Sequence, residues 1–244
     1  MAALDGKVAV VTGGGSGVGK ATARLFLDHG AKVVIAGRDA AKLQAVVDEI
    51  AAGDRLLSVP TDVTAAAECQ ALVDAAVGRF GRLDVLVNNA GMNLKARTFR
   101  ELTPADWDRM VRANLDGAFY CTKAALPTFL AQKDGLVVNM VSVAGLRANP
   151  LGGAAYVAAK HGMGALGTVL ANEERESGIR VCNLYPGEID TPILAERPTP
   201  VTDSHRAAIL RPEDVAEAVL FVASLPARVS VPELVIKPTF QAYW

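Results

Sequence analysis

The chain has few cysteines and histidines, and those it has are scattered. Its three cysteines, Cys69, Cys121 and Cys182, form no C-x-x-C pair, and no two of its three histidines lie four residues apart. Disulfide scaffolds and metal sites held by thiolates or imidazoles require such clusters. The scarcity argues against a disulfide framework, predicts no protein-held metal and indicates a reducing compartment.

Long apolar runs and an excess of either charge are also missing. No apolar run reaches the roughly 18 residues of a transmembrane helix, and Asp5 and Lys7 interrupt the N-terminal stretch before a signal peptide could form. The net charge of -1 provides no global positive field for nucleic acid or anionic lipid. We therefore expect a cytoplasmic protein whose partners are small molecules rather than nucleic acid or membrane.

Hydrophobic residues make up 51% of the 244 residues, enough for a substantial core. Short β-branched runs alternate with longer alanine-rich stretches, as in βαβ units around a parallel sheet. Strands are predicted at 7–12, 31–36, 55–59, 83–88, 136–141, 179–184 and 233–236. Helices are predicted at 18–29, 39–52, 64–79, 104–133 (broken or bent), 154–176 and 212–224. The predicted fold class is α/β, with a doubly wound parallel sheet of about seven strands and helices on both faces.

The order of elements also bears on domain organisation. No linker, charge run or internal repeat divides residues 1–244, so we expect one domain. The stretch from Pro186 to Leu210 differs, because it holds four prolines, has little periodicity and follows a predicted strand end. Ligands of open α/β sheets bind beyond the carboxyl ends of the strands. Residues 187–210 are therefore a candidate substrate loop or lid.

A glycine-rich turn, TGGGSGVG at 12–19, joins the first predicted strand to the first predicted helix. Its five glycines allow positive φ and close approach of the backbone to a pyrophosphate. The N-terminus of the following helix offers N–H groups and a positive dipole end to phosphates. The spacing is G-x-x-x-G-x-G rather than G-x-G-x-x-G, and such a turn can also be purely structural.

The end of the second predicted strand reads Gly37-Arg38-Asp39 and bears on the choice of cofactor. A carboxylate here would bind the adenosine ribose of NAD and repel a 2′-phosphate, whereas Arg38 offers donors that suit phosphate. We therefore expect NADP(H) to be preferred over NAD(H). Alternatively, Arg38 is a solvated loop residue and Asp39 is an N-cap for the next helix; capping would still leave Arg38 available.

Tyr156 and Lys160 stand four residues apart on a predicted helix and share a face. Ser142 follows the strand predicted at 136–141, at the sheet edge that also carries the glycine turn. A hydroxyl, a phenol and an ammonium beside a nicotinamide suit carbonyl reduction, because charge developing on the carbonyl oxygen needs a proton and hydrogen-bond donors. The alternative is an ordinary buried tyrosine with a lysine that reaches to water.

Several motifs together resemble the short-chain dehydrogenases/reductases. They are TGGGSGVG at 12–19, NNAG at 88–91, Asn114, Ser142, Y-x-x-x-K at 156–160, and Pro186-Gly187 with Thr191. Their order and spacing match the family over roughly the whole chain. The resemblance implies a single-domain Rossmann-type fold and an NAD(P)-dependent oxidoreductase that interconverts a carbonyl and an alcohol by hydride transfer.

The resemblance also implies roles for individual residues. Tyr156 would be the acid/base, and Ser142 would orient the substrate carbonyl. Lys160 would hold the nicotinamide ribose and lower the tyrosine pKa, while Asn114 would station a water linked to it. The implied cofactor-binding residues are Gly13, Ser16, Gly17, Val18, Gly19, Arg38, Asp62, Val63, Asn88, Ala90, Gly91, Tyr156, Lys160, Pro186, Gly187, Ile189 and Thr191. From the residues alone, Asn114 could instead kink a helix and Asp62 could form a turn near Thr64.

Substrate identity is less defined. The chain lacks the near-terminal D-G-G of ketoacyl-carrier reductases, which disfavours that substrate class. Possible charge partners for a substrate are Arg97, Arg147, Arg197 and His205. Arg147 could fix a substrate carboxylate, or it could be a solvated arginine at the pocket rim.

Two further expectations concern assembly and activity. The resemblance implies a homodimer or homotetramer paired through the helices at 104–133 and 154–176, whose small residues could instead pack on their own sheet. A non-catalytic NADP-binding regulator or redox sensor is the alternative function. The complete set of Asn114, Ser142, Tyr156 and Lys160 argues against it, because a pure binder needs no phenol.

Overall fold

The computed structural model describes residues 3–242, and a parallel sheet forms its centre. The strands are β1 (Val8–Thr12), β2 (Lys32–Gly37), β3 (Leu56–Pro60), β4 (Val85–Asn88), β5 (Gly135–Met140), β6 (Ile179–Pro186) and β7 (Glu233–Ile236). They pair in the order β3-β2-β1-β4-β5-β6-β7, with every pairing parallel. The predicted doubly wound sheet of seven strands is confirmed.

Helices cover both faces of the sheet. They are α1 (Gly17–Asp28), α2 (Ala40–Ile50), α3 (Ala66–Phe80), α4 (Pro104–Val111), α5 (Gly117–Gln132), α6 (Ala154–Glu173), α7 (Asp203–Ala208) and α8 (Pro212–Ser224). Apart from α7, these are the predicted helices, and their ends differ from the predicted ones by at most three residues. Within residues 3–242, none of the helices is both long and apolar enough to cross a membrane.

The core lies in two layers because consecutive strand residues point to opposite faces of the sheet. Val11 of β1 belongs to the cluster that contains Phe26 of α1 and Val215 of α8. Its neighbour Val10 belongs to the cluster that contains Leu72 of α3 and Phe129 of α5. All six of these side chains are buried, so β1 is apolar on both faces and the sequence shows a continuous run rather than an alternation.

The strand order reverses at β1, which pairs with β2 on one side and with β4 on the other. Such a switch point opens a crevice at the carboxyl ends of the two strands. The turn at 12–19 follows β1, and the NNAG stretch at 88–91 begins at the last residue of β4. The topology therefore brings the two motifs to the same edge of the sheet.

The helix predicted as broken or bent at 104–133 is interrupted by a π turn over Arg112–Asp116, between α4 and α5. Asn114 lies in this turn and is buried. Its Nδ2 donates to the carbonyl oxygens of Met110 (2.9 Å) and Met92 (3.0 Å), and its Oδ1 accepts from the Met92 N–H (3.1 Å). The prediction of a break is confirmed, and the π turn aims Asn114 at the loop after β4.

The segment at 187–210 is more regular than the sequence predicts. A 3-10 turn covers Pro192–Glu196, and α7 begins after Thr202, whose hydroxyl accepts from the His205 N–H. Ile189 also forms a parallel bridge with Leu210. The short helical turns escaped prediction because neither is long enough to show a helical period.

The amino-terminal edge of the sheet holds a network of paired charges. Asp84 is 3% exposed and lies just before β4. Its carboxylate accepts hydrogen bonds from Lys7 Nζ (2.9 Å), Arg82 Nη2 (2.6 Å) and the Val8 N–H (2.9 Å). Lys7 also pairs with Asp134 at 3.1 Å. Each buried charge at this edge therefore has a partner of opposite sign.

Candidate functional site

The glycine-rich turn after β1 leaves no room for a side chain at Gly13, Gly14 or Gly19. Gly13 and Gly17 have φ of 68° and 51°, in the left-handed region that favours glycine. A Cβ added to Gly14 would lie 2.6 Å from the Ile35 Cβ, and one added to Gly19 would lie 2.3 Å from the Gly13 carbonyl oxygen. The bare backbone and the N-terminus of α1 therefore form a surface that suits a phosphate group.

A hydrogen-bond network joins this turn to the loop after β4. The Thr12 hydroxyl accepts from the backbone N–H groups of Asn89 (2.9 Å) and Ala90 (3.0 Å). The Asn89 Nδ2 donates to the Thr12 carbonyl oxygen at 2.8 Å. Thr12 and Asn89 lie inside the TGGGSGVG and NNAG motifs, but the sequence alone predicted no role for either.

A cleft of about 910 Å³ runs along the carboxyl edge of the sheet. It brings together most of the residues predicted for the site, namely Gly13, Ser16, Gly17, Val18, Arg38, Ala90, Gly91, Asn114, Ser142, Tyr156, Lys160, Pro186, Gly187, Ile189 and Thr191. Four predicted cofactor residues do not line it: Gly19, Asp62, Val63 and Asn88.

Asn88 and Val63 lie in the interior next to the cleft. The Asn88 Nδ2 donates to Thr122 Oγ1 (2.9 Å) and to Asn139 Oδ1 (3.0 Å). Val63 packs so closely against α5 that a Cβ added to Gly117 would lie 2.7 Å from its Cγ2. These side chains support the loops, so a cofactor could meet only the backbone of either residue.

Arg38 and Asp62 line a smaller depression beside the cleft. Hydrogen bonds from the N–H and hydroxyl of Thr64, with the nearby Arg38 charge, lower the pKa of Asp62. Asp62 thus forms a turn with Thr64, which is the alternative that the sequence left open for this residue. Asp39 caps α2 by accepting from the Lys42 N–H at 3.1 Å, while Arg38 remains exposed and faces both cavities.

Ser142 follows β5 with φ of 150°, a conformation that residues with side chains rarely adopt. Its Oγ accepts a hydrogen bond from the Ala144 N–H at 3.1 Å. The loop lies close to α6, because a Cβ added to Gly145 would be 2.9 Å from the Lys160 carbonyl oxygen. This packing places the Ser142 hydroxyl close enough to the Tyr156 phenol to lower its pKa.

Tyr156 and Lys160 share the cleft-facing side of α6. The Lys160 Nζ donates to the Met140 carbonyl oxygen at 2.6 Å and lies 5.7 Å from the Tyr156 ring centroid. Burial lowers the pKa of Lys160 to about 7. Burial also raises the pKa of Tyr156, while a hydrogen bond with Ser142 and the charge of Arg97 oppose that rise. A neutral phenol therefore predominates at neutral pH, which suits a proton donor.

Arg97 holds the substrate end of the cleft together. Its Nε donates to the Leu94 carbonyl oxygen, its Nη1 to that of Leu151 (2.9 Å) and its Nη2 to that of Glu196. These acceptors belong to three segments, namely the loop after β4, the loop after β5 and the predicted lid at 187–210. Arg147, in contrast, is exposed at the rim and donates to the Leu146 carbonyl oxygen at 3.1 Å.

The C-terminal segment also reaches the cleft, which the sequence did not predict. The Gln241 Oε1 accepts from the Glu188 N–H at 3.0 Å, next to Gly187. The Glu188 carboxylate pairs with Arg197 (3.1 Å) and His205 (2.5 Å) of the 187–210 segment. These contacts fasten the segment at the end of the cleft, where no local sequence motif could have indicated them.

The chain is similar to proteins of one family along nearly its whole length. A family model described as short chain dehydrogenase matches residues 7–201. An uncharacterised oxidoreductase of Staphylococcus aureus strain MRSA252 is 39% identical over 238 residues, which are 98% of this chain and 100% of that relative. The structure of 3-ketoacyl-(acyl-carrier-protein) reductase from Brucella melitensis, complexed with NADH, has a TM-score of 0.88 at 34% identity and covers 96% of this chain and 98% of its own. A closed form of serine dehydrogenase complexed with NADP+ has a TM-score of 0.87 at 30% identity, covering 97% and 96%.

Proposed function

Since the chain belongs to the short-chain dehydrogenase/reductase family of oxidoreductases, we propose that it is an NADP(H)-dependent enzyme that interconverts a ketone or aldehyde and an alcohol. The observation that carries this proposal is the convergence of Ser142, Tyr156 and Lys160 on the cleft that also contains the glycine turn. A single cleft can then hold a dinucleotide at one end and a small carbonyl compound at the other.

The residues at the turn fit a dinucleotide. Added Cβ atoms at Gly14 and Gly19 would collide with neighbouring atoms, so the turn accepts only glycine where a pyrophosphate must approach. Bound NADPH supplies a hydride to a carbonyl carbon, and bound NADP+ accepts one from an alcohol. The chain's own residues then have to position the substrate oxygen and move its proton.

Ser142 and Tyr156 are the groups that we assign to the substrate oxygen. The Ser142 Oγ already accepts from the Ala144 N–H, so its own proton is left to donate to the substrate oxygen. Tyr156 gives its phenolic proton to that oxygen in reduction and takes it back in oxidation. Both donors act where negative charge develops, which stabilises the transition state.

Lys160 and Asn114 supply protons behind the tyrosine in this proposal. A Cβ added to Gly91 would lie 2.8 Å from the Asn114 Oδ1 and 3.8 Å from the Lys160 Nζ, so the absence of a side chain leaves space between these atoms. A water there would connect Lys160 to solvent. The lowered pKa of Lys160, about 7, allows proton exchange near neutrality.

Replacement of Tyr156 by Phe tests the mechanism. The variant keeps the ring but loses the proton donor, so turnover in an NADPH oxidation assay over ketones, aldehydes, sugars and oxo acids should fall by at least about a hundredfold. NADPH binding, followed by fluorescence titration, should stay within about twofold of wild type. Turnover that survives in the variant would refute the mechanism. Tight NADPH binding by a wild type that reduces no compound would instead support the regulator or sensor alternative.

Arg38 supports the preference for NADP(H), because it is exposed at the depression that Asp62 also lines. Its replacement by Ala should lower kcat/KM for NADPH by about tenfold to a hundredfold, since a charge-assisted hydrogen bond to phosphate is lost. The value for NADH should change little, and removal of the exposed charge of Arg228 should affect neither. Equal losses with both cofactors would contradict the assignment of Arg38 to the 2′-phosphate.

We also propose a single-domain, cytoplasmic homodimer or homotetramer in which residues 187–210 form a lid. Three free, buried cysteines support the reducing location. On α6, Ala155 and Ala159 pack inward, whereas Leu166 and Val169 are exposed, Val169 at 52%. The inward alanines pack on the sheet of their own subunit, and the exposed face of α6 is available for the proposed interface. Sedimentation of a monomer at micromolar concentration would contradict the assembly.

A further inference from the structure

Arg97 is a buried cation with unusual surroundings. Its side chain is 6% exposed and lines the cleft that also contains Tyr156. All three of its hydrogen bonds go to backbone carbonyl oxygens. Within residues 3–242, no carboxylate forms an ion pair with it. Its hydrogen bonds are therefore all to backbone dipoles, whereas the neighbouring Arg197 is paired with Glu188 at 3.1 Å.

Charged neighbours make this position costly for a cation. Burial lowers the pKa of Arg97, and the nearby Arg197 charge lowers it further. Glu196 and Tyr156 act in the opposite direction without outweighing them. The three hydrogen bonds use a different nitrogen each, which only a guanidinium provides, and an anion bound beside it would offset the electrostatic cost of its charge.

The guanidinium has donors to spare. It carries five N–H groups, and the carbonyl oxygens of Leu94, Leu151 and Glu196 use one each from Nε, Nη1 and Nη2. One N–H on each terminal nitrogen remains for a ligand. A carboxylate provides two acceptor oxygens and a negative charge in direct contact with the guanidinium, and arginine recognises this group with paired hydrogen bonds.

We propose that Arg97 binds the carboxylate of the substrate, so that the enzyme interconverts an oxo acid and the corresponding hydroxy acid. The inference rests on the proposed function and deepens it. In the reduction, the dihydronicotinamide gives a hydride to the carbonyl carbon and Tyr156 gives a proton to the oxygen. The products are the hydroxy acid and the oxidised cofactor, and the carboxylate on Arg97 is unchanged.

Paired substrates separate charge recognition from folding. Rates of NADPH oxidation are measured with 2-oxo and 3-oxo acids of three to six carbons and with the methyl ester of each. We expect wild type to prefer the acid, and Arg97→Gln to lower kcat/KM for the acid by about tenfold to a hundredfold. The value for the ester should fall less, so that the acid-to-ester ratio of kcat/KM drops by about tenfold, and Arg97→Lys should recover part of the preference. Arg100→Gln removes an exposed charge three residues away and serves as the matched control.

A binding measurement makes the test independent of turnover. Succinate, malonate and oxamate are titrated calorimetrically into the NADP+-loaded protein. At least one should bind wild type and Arg100→Gln but bind Arg97→Gln at least about tenfold more weakly. Equal binding by all three proteins, no carboxylate binding at all, or equal losses for acids and esters would each overturn the assignment of Arg97. Esters reduced without any preference for acids would overturn it while leaving the proposed function intact.

Discussion

The two edges of the sheet treat buried charge in opposite ways. At the amino edge, Asp84 is 3% exposed and its carboxylate meets both Lys7 and Arg82. At the carboxyl edge, Lys160 is 4% exposed and Arg97 is 6% exposed, yet both donate to backbone carbonyl oxygens rather than to carboxylates. The buried charge of Asp84 is thus neutralised by ion pairs within the fold, whereas the buried charges of Lys160 and Arg97 are hydrogen-bonded to the backbone.

The pKa directions express the same contrast. Burial opposes the ionisation of Asp84, but hydrogen bonds from Arg82, Lys7 and the Val8 N–H outweigh it and lower the pKa of this carboxyl. The pKa of Lys160 falls to about 7 because burial disfavours its charged form, and the hydrogen bond to the Met140 carbonyl oxygen does not offset that penalty. The charged form is therefore favoured at the amino edge and disfavoured at the carboxyl edge.

The largest expected effect comes from Lys160→Met. Removal of the ammonium should lower kcat by about a hundredfold to ten-thousandfold, because proton supply and ribose binding both depend on it. The free energy of unfolding should not fall, since an uncompensated buried charge gives way to an apolar chain of similar size. Initial rates and urea unfolding measure the two quantities. Lys42→Met, at an exposed site on α2, should change neither. A stability loss above about 2 kcal/mol would show that Lys160 is structural.

Asp84→Ala should have the reverse profile. It leaves the Val8 N–H and two cations without their acceptor, and we expect the free energy of unfolding to fall by about 2–3 kcal/mol. The loss of unfolding free energy stays moderate because Lys7 and Arg82 are partly exposed and can be hydrated by water. The values of kcat and KM at temperatures where the variant stays folded should be unchanged. Asp54→Ala, which breaks an exposed pair with Arg79, should cost less than about 1 kcal/mol. If Asp84→Ala lost activity while fully folded, the amino edge would not be purely structural, and the contrast between the two edges would be wrong.

Taken per pH unit, the smallest effect is a difference in the pH dependence of stability. Because the pKa of Lys160 is about 7 in the folded state and about 10.5 in the unfolded chain, the unfolded state binds more protons between these values. Its contribution to stability therefore rises with pH from 7 to 10.5, by at most about 1.4 kcal/mol per unit. Asp84 contributes stability above its ordinary pKa of 3.8, and that contribution is lost as the pH falls through its lowered folded value. Urea unfolding midpoints should show the alkaline rise disappear in Lys160→Met and the acid loss weaken in Asp84→Asn.

Much of this arrangement could be predicted because it follows from local periodicity. Tyr156 and Lys160 had to share a face once the residues around them formed a helix. The carboxyl ends of β1 and β5 had to meet the same edge once the strands were parallel, which placed Ser142 near the glycine turn. The predicted preference for NADP(H) depended on one position after β2, where the sequence has Arg38 rather than a carboxylate. The predicted N-cap of α2 is Asp39, as the structure shows.

The remaining features depend on contacts between distant segments. Arg97 donates to carbonyl oxygens at positions 94, 151 and 196, and backbone acceptors carry no sequence signal. The hydrogen bond from the Glu188 N–H to the Gln241 side chain likewise joins residues 53 positions apart. For α7, a weak signal existed, since Thr202 and Asp203 form an N-cap and an acidic first turn, but the helix is too short for its period to confirm it.

The contact of Gln241 with Glu188 also sets an order for assembly during translation. Strands β1, β2 and β3 are contiguous in the chain and can pair as soon as residue 60 has left the ribosome. The cleft instead draws on residues from Gly13 to Ala242, so its walls cannot all be in place until residue 242 has been added. At about 5–20 residues per second, roughly ten seconds or more separate the two events. The cleft is therefore completed well after the first three strands are able to pair.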